Sequence, residues 1–273
     1  MDRVYRWISK HKISSVILYN VICWILPLLL LSLTIKIWPI IWISIGFVCF
    51  SFSLLVVTSV DENYFIKNAI QLLNEQCDPF PLFEAVEQKL PSVKPSSRQQ
   101  RFLINKAVAL RHFGRFDDAF SILSGINIDK YSATLPLIKI VYYNNLADIL
   151  IIKGDYFQAN IWYLKMLQMI NDFKANEKQK KILNETSILV QAELLTAGGN
   201  FAQAENLIGG LPESTLSNMQ RISKHMLYAK LLVKQNRPDE AKQCLQYVIA
   251  YGNKLYAVLQ AREMLNSLDD IGE

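Results

Sequence analysis

Ala147-Asp148-Ile149-Leu150-Ile151-Ile152-Lys153-Gly154-Asp155-Tyr156-Phe157-Gln158-Ala159 reads as the end of one helix, a sharp corner at Gly154 and the start of a second helix. Ala147 and Leu150 stand seven and four residues before the glycine; Tyr156 and Ala159 stand two and five after it. The same offsets recur at Gly114, with Ala107, Leu110, Phe116 and Ala119. They recur at Gly199, with Ala192, Leu195, Phe201 and Ala204. Asn236 occupies the fourth corner, with Ala229, Leu232, Pro238 and Ala241. Two antiparallel helices approach closely only where facing side chains are small, and an alanine on each side of the corner permits that contact. Glycine or asparagine at the corner accepts a positive φ. The aromatic that follows is expected to fill the wedge between one helical pair and the next.

These small, Gly-x-aromatic and small positions resemble the tetratricopeptide repeat family over residues 98–268. The corners stand 40, 45 and 37 residues apart, against about 34 in that family. Leu103, Tyr143, Ile188 and His225 occupy the place of its tryptophan. The resemblance implies an all-α solenoid that binds a partner on the concave surface lined by the first helix of each pair.

Outside that region the chain changes character. Its hydrophobic fraction is 51%, and the excess lies before Asp61. Residues 13–33 and 40–60 are two uncharged runs separated by a short connection containing Lys36. A helix of either length spans roughly 31 Å, enough for a bilayer core. A cleaved signal is the weaker reading, because the apolar run is long and no small-x-small site follows it. The expected architecture is therefore an N-terminal two-helix transmembrane hairpin followed by a repeat solenoid. Arg3, Arg6, Lys10 and Lys12 in a basic head, residues 1–12, favour the cytoplasmic side. That orientation predicts an integral protein of a plasma-type membrane, with both termini and the repeat domain in the cytoplasm.

Residues 61–97 read as a helical spacer or a degenerate capping repeat, ended by a linker over Pro91–Ser97. Four further pairs are expected, over 101–123, 135–170, 185–208 and 219–251, and a last helix over 255–268 covers the end. Lys178, Lys180 and Lys181 read as a solvated helix end.

The net charge of +5 is concentrated in residues 1–60, so it does not argue for nucleic acid. Cys23, Cys49, Cys77 and Cys244 show neither zinc spacing nor a disulfide framework. His11, His112 and His225 are far apart, and no phosphate loop, nucleophile elbow or HExxH helix is present. An enzyme is not expected, nor a cofactor or metal.

Binding is the better reading. Residues six before each corner should face the groove: Val108, Asp148, Glu193 and Lys230. Those nine before are Asn105, Asn145, Val190 and Leu227; those thirteen before are Arg101, Val141, Thr186 and Ser223. Candidate groove residues are Arg101, Asn105, Arg111, Asn144, Asn145, Asp148 and Glu193. Asparagines can hold a peptide backbone, and arginines a carboxylate. The match to the family's carboxylate-gripping groove is partial, since its lysines are missing here. Tyr142, Trp162, Tyr163, Tyr247 and Tyr251 read as core packing. The expected function is a membrane-anchored adaptor or scaffold for a protein or peptide. The alternatives are an accessory subunit or assembly factor of a membrane complex, and a peptide-sensing receptor.

Overall fold

The four corners share one hydrogen-bond pattern. The amides of Arg115, Asp155, Asn200 and Arg237 each donate to the carbonyl of the leucine five residues earlier, Leu110, Leu150, Leu195 and Leu232, at 2.9 Å. The corner amides of Gly114, Gly154, Gly199 and Asn236 donate to the carbonyl three residues back, at 3.0, 3.0, 3.3 and 3.1 Å. This is the Schellman closure, which satisfies the last carbonyls of a helix and requires a left-handed residue at its end. The corner φ values are +80° and +80° at Gly114 and Gly154, +79° at Gly199 and +58° at Asn236. The residue after each corner then accepts the first bond of the next helix, from Ala119, Ala159, Ala204 and Ala241. All eight corner alanines are fully buried.

The computed structural model describes residues 46, 50–51, 65–130, 136–174 and 176–270. The chain divides into two compact units, Met1–Asn68 and Ala69–Glu273. The expected basic head and transmembrane hairpin lie, but for residues 46 and 50–51, outside the described residues. Among the described residues no helix is long and apolar enough to cross a membrane.

Those residues hold eleven α-helices and no strand. They are α1 (65–76), α2 (Phe80–Lys89), α3 (Ser97–His112), α4 (Phe116–Ser124), α5 (Pro136–Ile152), α6 (Tyr156–Asp172), α7 (Glu177–Ala197), α8 (Phe201–Gly209), α9 (Asn218–Lys234), α10 (Pro238–Tyr251) and α11 (Tyr256–Asp270). The part is all-α and repeat-like. Helices α3, α5, α7, α9 and α11 stack in sequence order; the first four each pack against their own pair partner and the partner before it, and α11 packs against α10. One buried cluster joins the first two pairs through Ile104, Leu110, Leu146, Ile149, Tyr163 and Met166. A second, with Leu189, Ile208, Leu216 and Leu231, joins the last two.

Two helix starts differ from expectation, for a local reason. Helix α3 begins at Ser97, because Ser96 accepts from the Gln99 amide and caps it within the expected linker. Helix α7 begins at Glu177, because Asn176 and Gln179 form a reciprocal capping box inside the charged segment. Lys178, Lys180 and Lys181 are exposed on its first turns.

The stack also closes on itself. The carbonyls of Glu75, Gln76 and Cys77, at the end of α1, accept from Asn218 Nδ2, Asn253 Nδ2 at 2.7 Å and the Lys254 amide at 3.3 Å. Lys254 Nζ pairs with Asp78 at 2.7 Å. Cys77 and Asn253 both hold positive φ, +54° and +49°, so two further sharp corners, α1–α2 and α10–α11, face each other. The sequence predicts a last helix that covers the end of the array; beyond that, the last turn of the second unit meets its beginning. The terminal carbonyls of α1 and the amide groups of the far corner satisfy one another, which solvent would otherwise have to do.

Candidate functional site

Closure turns the concave groove into a central cavity of about 180 Å³, open at its mouth. Arg111, Asn144, Asp148 and Glu193, four of the seven expected groove residues, line it. Arg111 Nη1 donates to Asp148 Oδ2 at 2.7 Å, and Asn144 Nδ2 reaches the same oxygen at 3.2 Å. One repeat further on, Lys230 Nζ stands 3.4 Å from Glu193 Oε1. The result is a ladder of four charges, one from each of α3, α5, α7 and α9. Asp148, Glu193 and Lys230 are the residues six before their corners, so helical stacking aligns them. Val108 has the same offset and does not line the cavity.

The other three expected residues lie elsewhere. Asn105 and Asn145 are buried and do not line the cavity; Asn145 donates to the Val141 carbonyl of its own helix at 2.7 Å. Arg101 is half-buried, with its guanidinium 6.0 Å from the Phe102 ring centre. The first two pairs therefore contribute only their corner ends. The third and fourth contribute more of their length, through Thr186, Leu189, Val190, Ser223, Met226 and Leu227. The expectation had placed the groove mainly on the first two pairs. Lys230 and Met226 complete the wall; the offset of six pointed to Lys230, whereas no sequence signal marked His112 or Tyr256, which also line it.

Burial, with the Glu193 charge beside it, pushes the Asp148 carboxyl up to about 6. Arg111, Asn144 and Lys230 pull the other way. Burial, reinforced by Arg111, holds His112 well below the ordinary imidazole range, so the ring that touches Arg111 Nη2 at 3.1 Å is neutral. The Arg111 Nε donor and the Asn144 Oδ1 acceptor are buried without a partner among the described residues.

A second feature lies on the outside. At the Gly114 corner, Tyr256 covers the turn and meets Phe116 edge-on at 5.4 Å. At the Gly154 corner nothing comparable arrives among the described residues: Phe157 is 75% exposed and Tyr156 46%. Leu164, two turns along α6 from Phe157, is exposed as well. The expected wedge role of the corner aromatic therefore holds for half-buried Phe116 and Phe201, which pack against the two core clusters, and fails for exposed Tyr156. Tyr142 and Tyr163 are buried, as core packing requires, but Tyr251 is exposed and meets the Tyr247 ring at a tilt, 4.7 Å between centres.

No protein-family model, no curated protein and no solved structure matches this chain. The tetratricopeptide resemblance rests on the corner offsets alone.

Proposed function

We propose that the protein is a membrane-anchored helical-repeat adaptor. The apolar runs 13–33 and 40–60 anchor it, and the repeat unit holds a protein partner at the cytoplasmic face. The carrying observation is the bare Gly154 corner, where Tyr156 and Phe157 are exposed side by side in sequence. Exposed aromatic side chains are the usual anchors of protein interfaces, and apolar surface gathered at one place is where such contacts form. The comparison with the Gly114 corner supports this: the same motif is there covered by Tyr256. The central cavity offers less to a protein partner. An extended chain advances about 3.3 Å per residue, and about 180 Å³ admits little of it.

The test is in-membrane cross-linking and pull-down of the full chain, wild type against Phe157→Asp, with and without residues 1–60. The expected result is loss of one specific cross-linked protein in Phe157→Asp at unchanged melting temperature. Removal of 1–60 should leave affinity intact but lower the yield, because anchoring raises local concentration. Equal capture by wild type and Phe157→Asp overturns the reading.

A further inference from the structure

The charge ladder in the central cavity is not explained by docking at an outer corner. It carries two cations and two carboxylates, one pair per neighbouring helix couple. Its net charge is zero with His112 neutral. Such a lining penalises a ligand of net charge, which would be desolvated against a balanced wall. It rewards a ligand that carries both signs at once. The same helices turn apolar one turn further from the corners: Leu189 and Val190 before Glu193, Met226 and Leu227 before Lys230. The cavity thus has a charged end and an apolar wall. Its size is also specific. An engineered apolar cavity of about 150 Å³ holds benzene. About 180 Å³ then suits roughly seven non-hydrogen atoms, and the open mouth admits a slightly larger ligand.

Arg111 and Asn144 belong to this wall, and both donate to the same Asp148 oxygen. Glu193 meets Lys230 at 3.4 Å, the long end of the hydrogen-bond range, so this pair is held less tightly than Arg111 and Asp148 at 2.7 Å. Paired charges that merely fastened α3 to α5 and α7 to α9 would be expected to close the space between them.

The geometry points to a binding site for one free α-amino acid with an apolar side chain. Its ammonium sits between Asp148 and Glu193, its carboxylate between Arg111 and Lys230, and its side chain lies against Leu189 and Met226. This inference is independent of the docking reading: an adaptor without an internal ligand and a ligand-binding ring without a partner are both possible proteins.

The test uses the full chain in detergent or nanodiscs, with calorimetry and thermal unfolding. The probes are L-leucine, L-methionine, N-acetyl-L-leucine, L-leucinamide and the tripeptide Leu-Gly-Gly. L-leucine or L-methionine should bind and raise the melting temperature. Each blocked analogue should bind at least about tenfold more weakly, the loss of one charge-assisted contact. Lys230→Met should erase the preference for leucine over leucinamide while keeping that over N-acetyl-leucine; Glu193→Gln should do the reverse. Should either variant fail to fold, the analogue series on wild type decides alone. No heat and no stabilisation from any probe at millimolar concentration overturns the proposal. So does equal binding of the blocked analogues. Tighter binding of Leu-Gly-Gly than of leucine also overturns it, and assigns the cavity to a peptide end. None of these outcomes touches the Phe157→Asp experiment.

Discussion

Tyr256 lies against Gly114 so closely that a Cβ at residue 114 would stand 2.4 Å from Cδ2 and 2.5 Å from Cγ of the ring. A helix at the far end of the chain is thereby seated on the first repeat corner. At Gly154 the same backbone conformation has open space around it.

The two glycines separate strain from collision. Gly154→Ala places a side chain at φ +80° and nothing else, which costs about 1–2 kcal/mol. Gly114→Ala adds the clash with the Tyr256 ring and should cost about 3 kcal/mol or more. In chemical denaturation, Tyr256→Ala should recover part of the Gly114→Ala loss and none of the Gly154→Ala loss.

The fourth corner is improvable. Asn236 holds φ +58° where the three preceding corners use glycine or its equivalent freedom. Asn236→Gly should leave the Schellman bonds intact and stabilise by about 0.5–1 kcal/mol; Asn236→Ala should destabilise by about 1 kcal/mol. A pair of melting curves decides it, and destabilisation by glycine would show that the asparagine side chain matters to the corner.

Closure of the ring is polar, and its contacts differ in worth. Lys254 is well exposed in its pair with Asp78, so Lys254→Ala should cost under about 1 kcal/mol. Asn253 donates to the Gln76 carbonyl and holds φ +49°. Asn253→Ala loses the bond and keeps the strain, for about 2 kcal/mol. Amide exchange at Cys77 and Lys254 should accelerate in Asn253→Ala before exchange in α5 changes.

Asp148 gives the chain an acid-side signature. Its folded pKa, about 6, lies above the ordinary value of 3.8. The folded state therefore holds the proton more tightly. Stability from this group is fully present below the unfolded value and is lost as pH rises through the folded one. Arg111, Asn144, Glu193 and Lys230 are the groups facing it. Asp148→Asn should flatten the fall in stability between pH 4 and 6, by up to about 3 kcal/mol. Urea midpoints of both proteins across that window give the difference directly; parallel curves would show that Arg111 compensates the burial.

The helical pairs were legible because a Schellman corner is local: Leu110, Gly114 and Ala119 span ten residues, and their roles follow from steric rules within that span. The offset of six also aligned Asp148, Glu193 and Lys230 on one wall, since equivalent positions on stacked helices share a face. The places of Asn105, Asn145 and Arg101 were not legible, because which part of a helix lines a cavity depends on how far the stack curls.

The sequence by itself determined that residues 98–268 fold as helical pairs, through alanines that allow close approach and corner residues that accept positive φ. Only tertiary structure decided that the stack closes, since Asn253 meets Gln76 and Tyr256 meets Gly114 across separations no local rule reaches. That curvature is the sum of small packing angles between successive pairs, set by side-chain shapes at every interface. It converts an expected open groove into a cavity the size of one small molecule.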